Sequence, residues 1–103
     1  MDIIIQAMEK RKSLGGYYNS LYRKFSPYKI GKKRGVLYCL GYQYAGNSSS
    51  GPILNESRQN WRCFNIVKFK NLEILSDPFQ EPRIKPWKRQ TCIEVILKEV
   101  FFK

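Results

Sequence analysis

The residues of this 103-residue chain with chemistry to offer are arginines and lysines set among aromatic rings. Arg62 and Lys68 stand in one apolar-aromatic segment, and Arg23-Lys24 lead into Phe25 and Pro27 in another. A guanidinium holds phosphate through two parallel hydrogen bonds and lays its flat face on a base. Tyr18, Tyr38, Tyr42 and Trp61 are rings on which bases stack, at about 1–3 kcal/mol for each base that does. Taken singly, each ring reads more readily as a core or half-buried side chain than as a stacking platform, and each arginine reads equally as site or as solvated surface. The loop Gly46–Gly51 (Gly-Asn-Ser-Ser-Ser-Gly) has hydroxyls and backbone amides for a phosphate, but it lacks the Gly-Lys-Ser/Thr ending of a P-loop.

Other chemistry is missing. The chain has no histidine, which removes His-metal sites, His general bases and Ser-His-Asp or Cys-His arrangements. Asp2, Glu9, Glu56, Glu73, Asp77, Glu81, Glu94 and Glu99 are scattered, so no carboxylate pair suggests itself. Cys39, Cys63 and Cys92 are odd in number, widely spaced and set in apolar sequence, with no Cys-x-x-Cys pair. They read as small buried hydrophobes of a reducing cytosol rather than as a disulfide framework or zinc site. No metal, no cofactor and no catalysis are expected.

Charge is the strongest number. Nineteen Lys and Arg against eight Asp and Glu leave +11, which attracts polyanions unless a partner neutralises it. Most of the excess precedes Gly35, with Lys32, Lys33 and Arg34 as a compact basic cluster. No apolar run approaches the roughly 20 residues of a membrane-spanning helix, and the N-terminus lacks the pattern of a signal peptide. A cytoplasmic protein is expected.

These side chains need a scaffold. Length allows one domain. Asp2 can cap a helix through about Lys12 with Ile4, Ile5, Ala7 and Met8 as its apolar stripe. Leu14–Tyr18 and Tyr22–Tyr28 read as strands turned by Asn19-Ser20, with Pro27 at an edge or strand end. Ile30–Gly35 reads as an exposed turn, Val36–Tyr44 as a strand buried on both faces, and Gly46–Gly51 with Pro52 as a flexible loop. Trp61–Lys70 reads as a strand bulged near Asn65, Asn71 as a turn, and Leu72–Leu75 as a last strand. Pro78, Pro82 and Pro86 make 76–90 an extended segment that wraps a surface. Thr91-Cys92-Ile93-Glu94 fits a capping box ahead of a C-terminal helix within 91–102, although its β-branched run suits a strand equally. The sum is a mainly β domain: a small SH3-like or Sm-like barrel of about five strands over 14–75, with an N-terminal helix and a C-terminal helix or strand.

Several of these segments resemble the WYL domain. Ile4, Gln6 and Ala7, then Tyr18, Arg23, Pro27-Tyr28 and Gly31, are similar to its opening helix, tyrosine-bearing strand and Arg-x-x-x-Pro segment. Val36-Leu37-Tyr38-Cys39-Leu40 resembles the signature strand, with Leu37 at the tryptophan position. Trp61-Arg62-Cys63-Phe64-Asn65-Ile66-Val67-Lys68 resembles the later Arg-x-Phe-Arg-Leu-Asp-Arg-Ile strand; Asn65 to Lys68 replace its Arg-Leu-Asp-Arg, losing a guanidinium and a carboxylate. The resemblance implies an Sm-like barrel that senses a nucleotide or nucleic-acid fragment in bacterial transcription control, DNA-damage response, or phage and CRISPR defence. With only Met1 ahead of Asp2, the helix-turn-helix domain of most relatives is not expected.

Two functions of different class follow. The first is a non-enzymatic regulatory module that binds a nucleotide or single-stranded RNA or DNA. Its candidate site is Tyr18, Arg23, Tyr42, Arg62 and Lys68, with Lys32, Lys33 and Arg34 as auxiliary basic surface. The second is a protein-interaction module, a homodimer or the companion of a separately encoded acidic partner, whose charge only steers association. Arg62 and Tyr18 in one common groove would favour the first; a groove filled by Phe101 or Phe102 would favour the second.

Overall fold

The structure, a computed structural model, describes residues 2–48, 51–52, 57–86 and 92–101. The chain opens with helix α1 (Asp2–Lys10), whose acidic first turn and basic last turn suit the helix dipole. A nine-residue helix is marginal alone. Packing holds it: Ile4, Ala7 and Met8 are buried against the sheet, and full burial of Ile4 or Met8 contributes about 1.5–3 kcal/mol. The helix stops two residues before the expected Lys12, because Arg11 turns left-handed (φ 49°) and Lys12 begins β1.

All strand pairing is antiparallel. β1 (Lys12–Tyr18) and β2 (Leu21–Lys33) form the expected hairpin, with Tyr18 opposite Leu21. Asn19 and Ser20 both take positive φ (50° and 68°), the sign pattern of a type I′ turn. β2 and β3 (Val36–Ser48) form a second, longer hairpin. The expected turn Ile30–Gly35 therefore shrinks to Arg34 and Gly35, again at positive φ, and Lys32 and Lys33 lie on a strand. The expected loop after Tyr44 is also mostly strand: β3 runs to Ser48 and pairs with the two-residue β4 (Gly51–Pro52), while residues 49–50 lie outside the described ones.

Pro27 sits inside β2 rather than at its end. It still lies on an edge, since β1 reaches only Phe25 and β7 begins at Lys29, and the ladder to β3 slips just after it. β5 (Trp61–Asn65) pairs with β3, and β6 (Phe69–Pro78) pairs with β1. The strand expected over Trp61–Lys70 is thus two strands, broken by a one-turn 3-10 helix at Ile66–Lys68. Asn71 is no turn between strands; it keeps a positive φ (57°) within β6, where the register against β1 slips. The resulting order is β5-β3-β2-β1-β6, so the short 3-10 turn joins strands paired to opposite sides of the β1–β3 meander.

The C-terminal segment is a strand, β7 (Val95–Glu99), not a helix. Among the described residues, β1 covers β2 only over Leu21–Phe25, which leaves the far half of β2 with an open edge, and β7 fills it from Lys29 to Lys32. Glu94 accepts a hydrogen bond from the Arg34 backbone N–H instead of closing a capping box. Thr91 and residue 102 lie outside the described residues.

Neighbouring residues of β3 enter different cores. Cys39 joins Ile4, Met8, Leu14, Phe25, Ile30 and Phe64, whereas Leu40 joins Tyr28, Tyr42, Trp61 and Ile93. This strand is buried on both faces, as its composition suggested. The second core is covered by the proline-containing segment: Phe79 packs on Tyr28, the Tyr28 hydroxyl donates to Gln80 O, and Trp61 Nε1 donates to Ile84 O. The wrapping role expected for 76–90 is seen as far as Pro86, and 87–90 lie outside the described residues.

Cysteine usage needs the largest correction. Only Cys39 is the small buried hydrophobe expected of all three. Cys63 is exposed on β5 and joined by a disulfide to Cys92, with their Cα atoms 6.3 Å apart. In extended sequence they are 29 residues apart, and only the return of β7 to the sheet brings them together.

Candidate anion-binding cavity

The turn that closes the β1–β2 hairpin, the start of β2, and the start of β5 surround a cavity of about 280 Å³. Its lining includes Tyr18 and Asn19, Arg23, Gln59, and Trp61 to Phe64. That volume is at the small end of the roughly 300–1,000 Å³ usual for ligand clefts. It suits a phosphate group with a small body attached.

Arg23 is the unusual residue. It is 3% exposed, yet arginine is almost never fully buried without a partner. Its guanidinium carbon lies 5.2 Å from the Tyr18 ring centre and 6.0 Å from that of Phe64, so aromatic faces supply part of its environment. Nη1 donates to Gln43 Oε1 over a long 3.4 Å. Gln43 is itself fully buried, and its amide orientation is set by Nε2, which donates to Ala45 O and Asn47 O. Oε1 is thereby turned toward the arginine.

Arg62 occupies the facing strand, opposite Gly41, and its Nη2 donates to Ser48 Oγ at 3.3 Å. Neither arginine has a carboxylate partner among the described residues. Four of the acids there pair elsewhere, Glu81 with Arg11, Asp77 with Lys24, Glu99 with Lys29 and Glu9 with Lys98, and none lines the cavity. The Nε atoms of both arginines are buried and without a hydrogen-bond partner. Burial holds the Arg23 guanidinium below the ordinary arginine pKa, and the charge of Arg62 lowers it further. Burial alone lowers that of Arg62. Two positive charges therefore share one small space with most of their donors unspent, an arrangement that costs free energy until an anion enters.

Tyr18 contributes position more than a free stacking face. Its ring packs against Phe64 and Phe69 at 5.1 and 4.8 Å, and its hydroxyl accepts from the Asn65 backbone N–H at 3.0 Å. Of the sequence-derived residues, the fold thus brings together Tyr18, Arg23 and Arg62. It does not bring in Tyr42, which is buried in the second core against Trp61. Lys68 is exposed on the 3-10 turn and is not part of the lining. Lys32, Lys33 and Arg34 are at the other end of β2.

Sequence reasoning missed Asn19, Gln43, Gln59 and Cys63 as site residues, and saw Ser48 only as one hydroxyl of the Gly46–Gly51 loop. Asn19 was visible only as a turn residue, and nothing local marks a buried glutamine as the neighbour of an arginine twenty positions away. Phe101 lines a separate cleft of about 70 Å³ with Tyr28, Leu40, Trp61 and Val100, and so does not fill the arginine cavity. No helix among the described residues is long and apolar enough to cross a membrane.

No family model matches this chain, and no curated protein or solved structure is significantly similar to it.

Proposed function

We propose that this protein is a non-enzymatic recognition module that binds a nucleotide or single-stranded nucleic acid by its phosphate, in the cavity between Arg23 and Arg62. One observation carries this reading: two guanidiniums, one of them 3% exposed, line the same cavity with unpartnered Nε–H groups and, among the described residues, no carboxylate on its lining. Structural arginines are normally paired when buried. An unpaired couple is what an anion-binding site holds ready, and arginine's fork suits phosphate. Around this site we read the sheet as an SH3-like or Sm-like barrel, since its β1–β3 meander is bridged by a 3-10 turn to a last strand on β1. This supports the WYL-like assignment, and with it a regulatory role in the cytoplasm. The Cys63–Cys92 disulfide is then one that must persist or cycle in a reducing compartment.

The test is fluorescence anisotropy with short single-stranded RNA, single-stranded DNA and duplex DNA across a salt series. Arg62→Ala should weaken binding by about 1.5–3 kcal/mol, the loss of a charge-assisted contact, with the circular-dichroism spectrum unchanged. Unchanged affinity in a folded variant would take Arg62 out of the site.

A second reading keeps one observation of its own. β7 pairs with β2 along one side, and Val95, Ile96 and Leu97 on it are each about half exposed. Such an edge suits strand addition by a partner protein. Binding of an acidic protein that survives Arg62→Ala but fails when Ile96 is replaced by lysine would favour it.

A further inference from the structure

The cavity's charge count narrows its ligand further, on the basis of the site proposed above. We propose that the Arg23–Arg62 cavity recognises a phosphate monoester, the terminal phosphate of a mononucleotide or of a nucleic-acid strand end, rather than an internal phosphodiester. Arg23 and Arg62 bring two positive charges, and no acid among the described residues offsets either. An internal diester carries one negative charge and would leave one guanidinium uncompensated in a partly desolvated space. A monoester near neutral pH carries between about −1.5 and −2 and presents three acceptor oxygens. That matches the pair in charge. It also matches them in donors, because each arginine makes one long hydrogen bond, of 3.4 or 3.3 Å, and keeps a buried Nε–H unspent.

Position agrees with charge. Arg23 is covered by Tyr18 and Phe64, so a ligand must push a projecting group inward to reach it. A chain end projects in this way, whereas a diester has to continue on both sides. Asn19 and Gln59 stand on the lining as exposed amides, placed to meet the sugar or base that follows the phosphate.

The ligand's own titration then becomes the readout. The ionisable side chains facing the cavity are Tyr18 from β1, Arg23 from β2 and Arg62 from β5; Cys63 is held in its disulfide and does not titrate. None is a carboxylate, and the chain has no histidine. The second proton of a phosphate monoester binds near pH 6, so affinity for a monoester should fall about tenfold between pH 7.5 and 5. Affinity for a ligand without one should stay level.

The experiment compares a 5′-phosphorylated with a 5′-hydroxyl oligothymidylate of equal length, and adenosine 5′-monophosphate with adenosine. Each pair is titrated against the oxidised full chain at pH 7.5 and 5, and against Arg62→Gln. The expected result is a tenfold or greater preference for the phosphorylated member at pH 7.5, lost at pH 5 and lost in Arg62→Gln. Preference confined to the mononucleotide pair identifies a free nucleotide as the source, and preference confined to the oligonucleotides identifies a strand end. Equal binding of both oligonucleotides, still weakened by Arg62→Gln, overturns the monoester inference and leaves the phosphate site standing. If no member of either pair binds, both readings fall. Arg23→Gln is made alongside, with its melting curve, so that a loss of binding is separated from a loss of fold.

Discussion

Asp77 shows how a single carboxylate on β6 links that strand to β2 and β3. It accepts hydrogen bonds from the Tyr44 hydroxyl at 2.9 Å and from Lys24 Nζ at 3.2 Å. The Tyr44 bond, then the Lys24 bond, hold its pKa below the usual aspartate value. A depressed folded pKa means the stabilisation is fully present above the unfolded value, about 3.9, and is lost as pH falls through the folded one. Asp77→Asn should therefore lower Tm at pH 7, and the gap to the parent chain should close in acid as pH falls through the folded pKa of Asp77. A gap that persists unchanged into acid would show that shape, not charge, is what Asp77 supplies. Cys39 is the opposite kind of residue. Burial pushes its thiol up to about 12, which makes it a packing group and no nucleophile.

At the scale of elements, one turn and one cross-link hold the cavity's walls. The hairpin that carries Tyr18 turns through Asn19 and Ser20, both at positive φ. A non-glycine residue there is strained by about 1–2 kcal/mol, whereas the β2–β3 turn places Gly35 at φ 78° in its second position. Ser20→Gly should relieve part of that strain and raise stability by about 0.5–1 kcal/mol, read as a higher midpoint in urea. No gain would mean that the serine hydroxyl compensates locally. The disulfide ties β5, which bears Arg62, to the lead-in of β7. Closing a loop of this length contributes about 2–4 kcal/mol, so a reductant should lower Tm by roughly 10 °C or more for a domain of this size. Thiol labelling of the reduced, folded protein should modify Cys63 and Cys92 and leave Cys39 for denatured chains. An unchanged Tm would show that β-pairing alone seats β7.

For the whole molecule, charge acts on two scales. In the proposed reading, the net +11 draws polyanions from a distance, and the Arg23–Arg62 cavity discriminates among them at contact. The basic turn Lys32, Lys33 and Arg34 stands at the far end of the β2–β3 hairpin from Arg23. Replacing all three with glutamine should flatten the salt dependence of oligonucleotide binding, by up to about three in the slope of log K against log salt. Affinity at high salt should change little. Complete loss of binding in that variant would place the site at the hairpin tip instead.

Local physics was legible wherever a residue's neighbours in sequence are also its neighbours in space. The stripe Ile4, Ala7 and Met8 specifies α1, Asn19-Ser20 turns the first hairpin, and the apolar run of β3 announces a strand buried on both faces. Arg23, Arg62 and Tyr18 could be named from type and from the resemblance. Their convergence could not be read, because it depends on β5 pairing with β3 and on the bulges that curve β2. Tyr42 was drawn into the site by its chemistry and excluded by its side of β3. The C-terminal strand and the Cys63–Cys92 link were also decided by tertiary structure. A capping box and an open strand edge compete for the same backbone, and the edge wins because β2 has unpaired groups to satisfy there. Sequence determined which charges this protein carries; the sheet decided which two of them line one cavity with no carboxylate partner among the described residues.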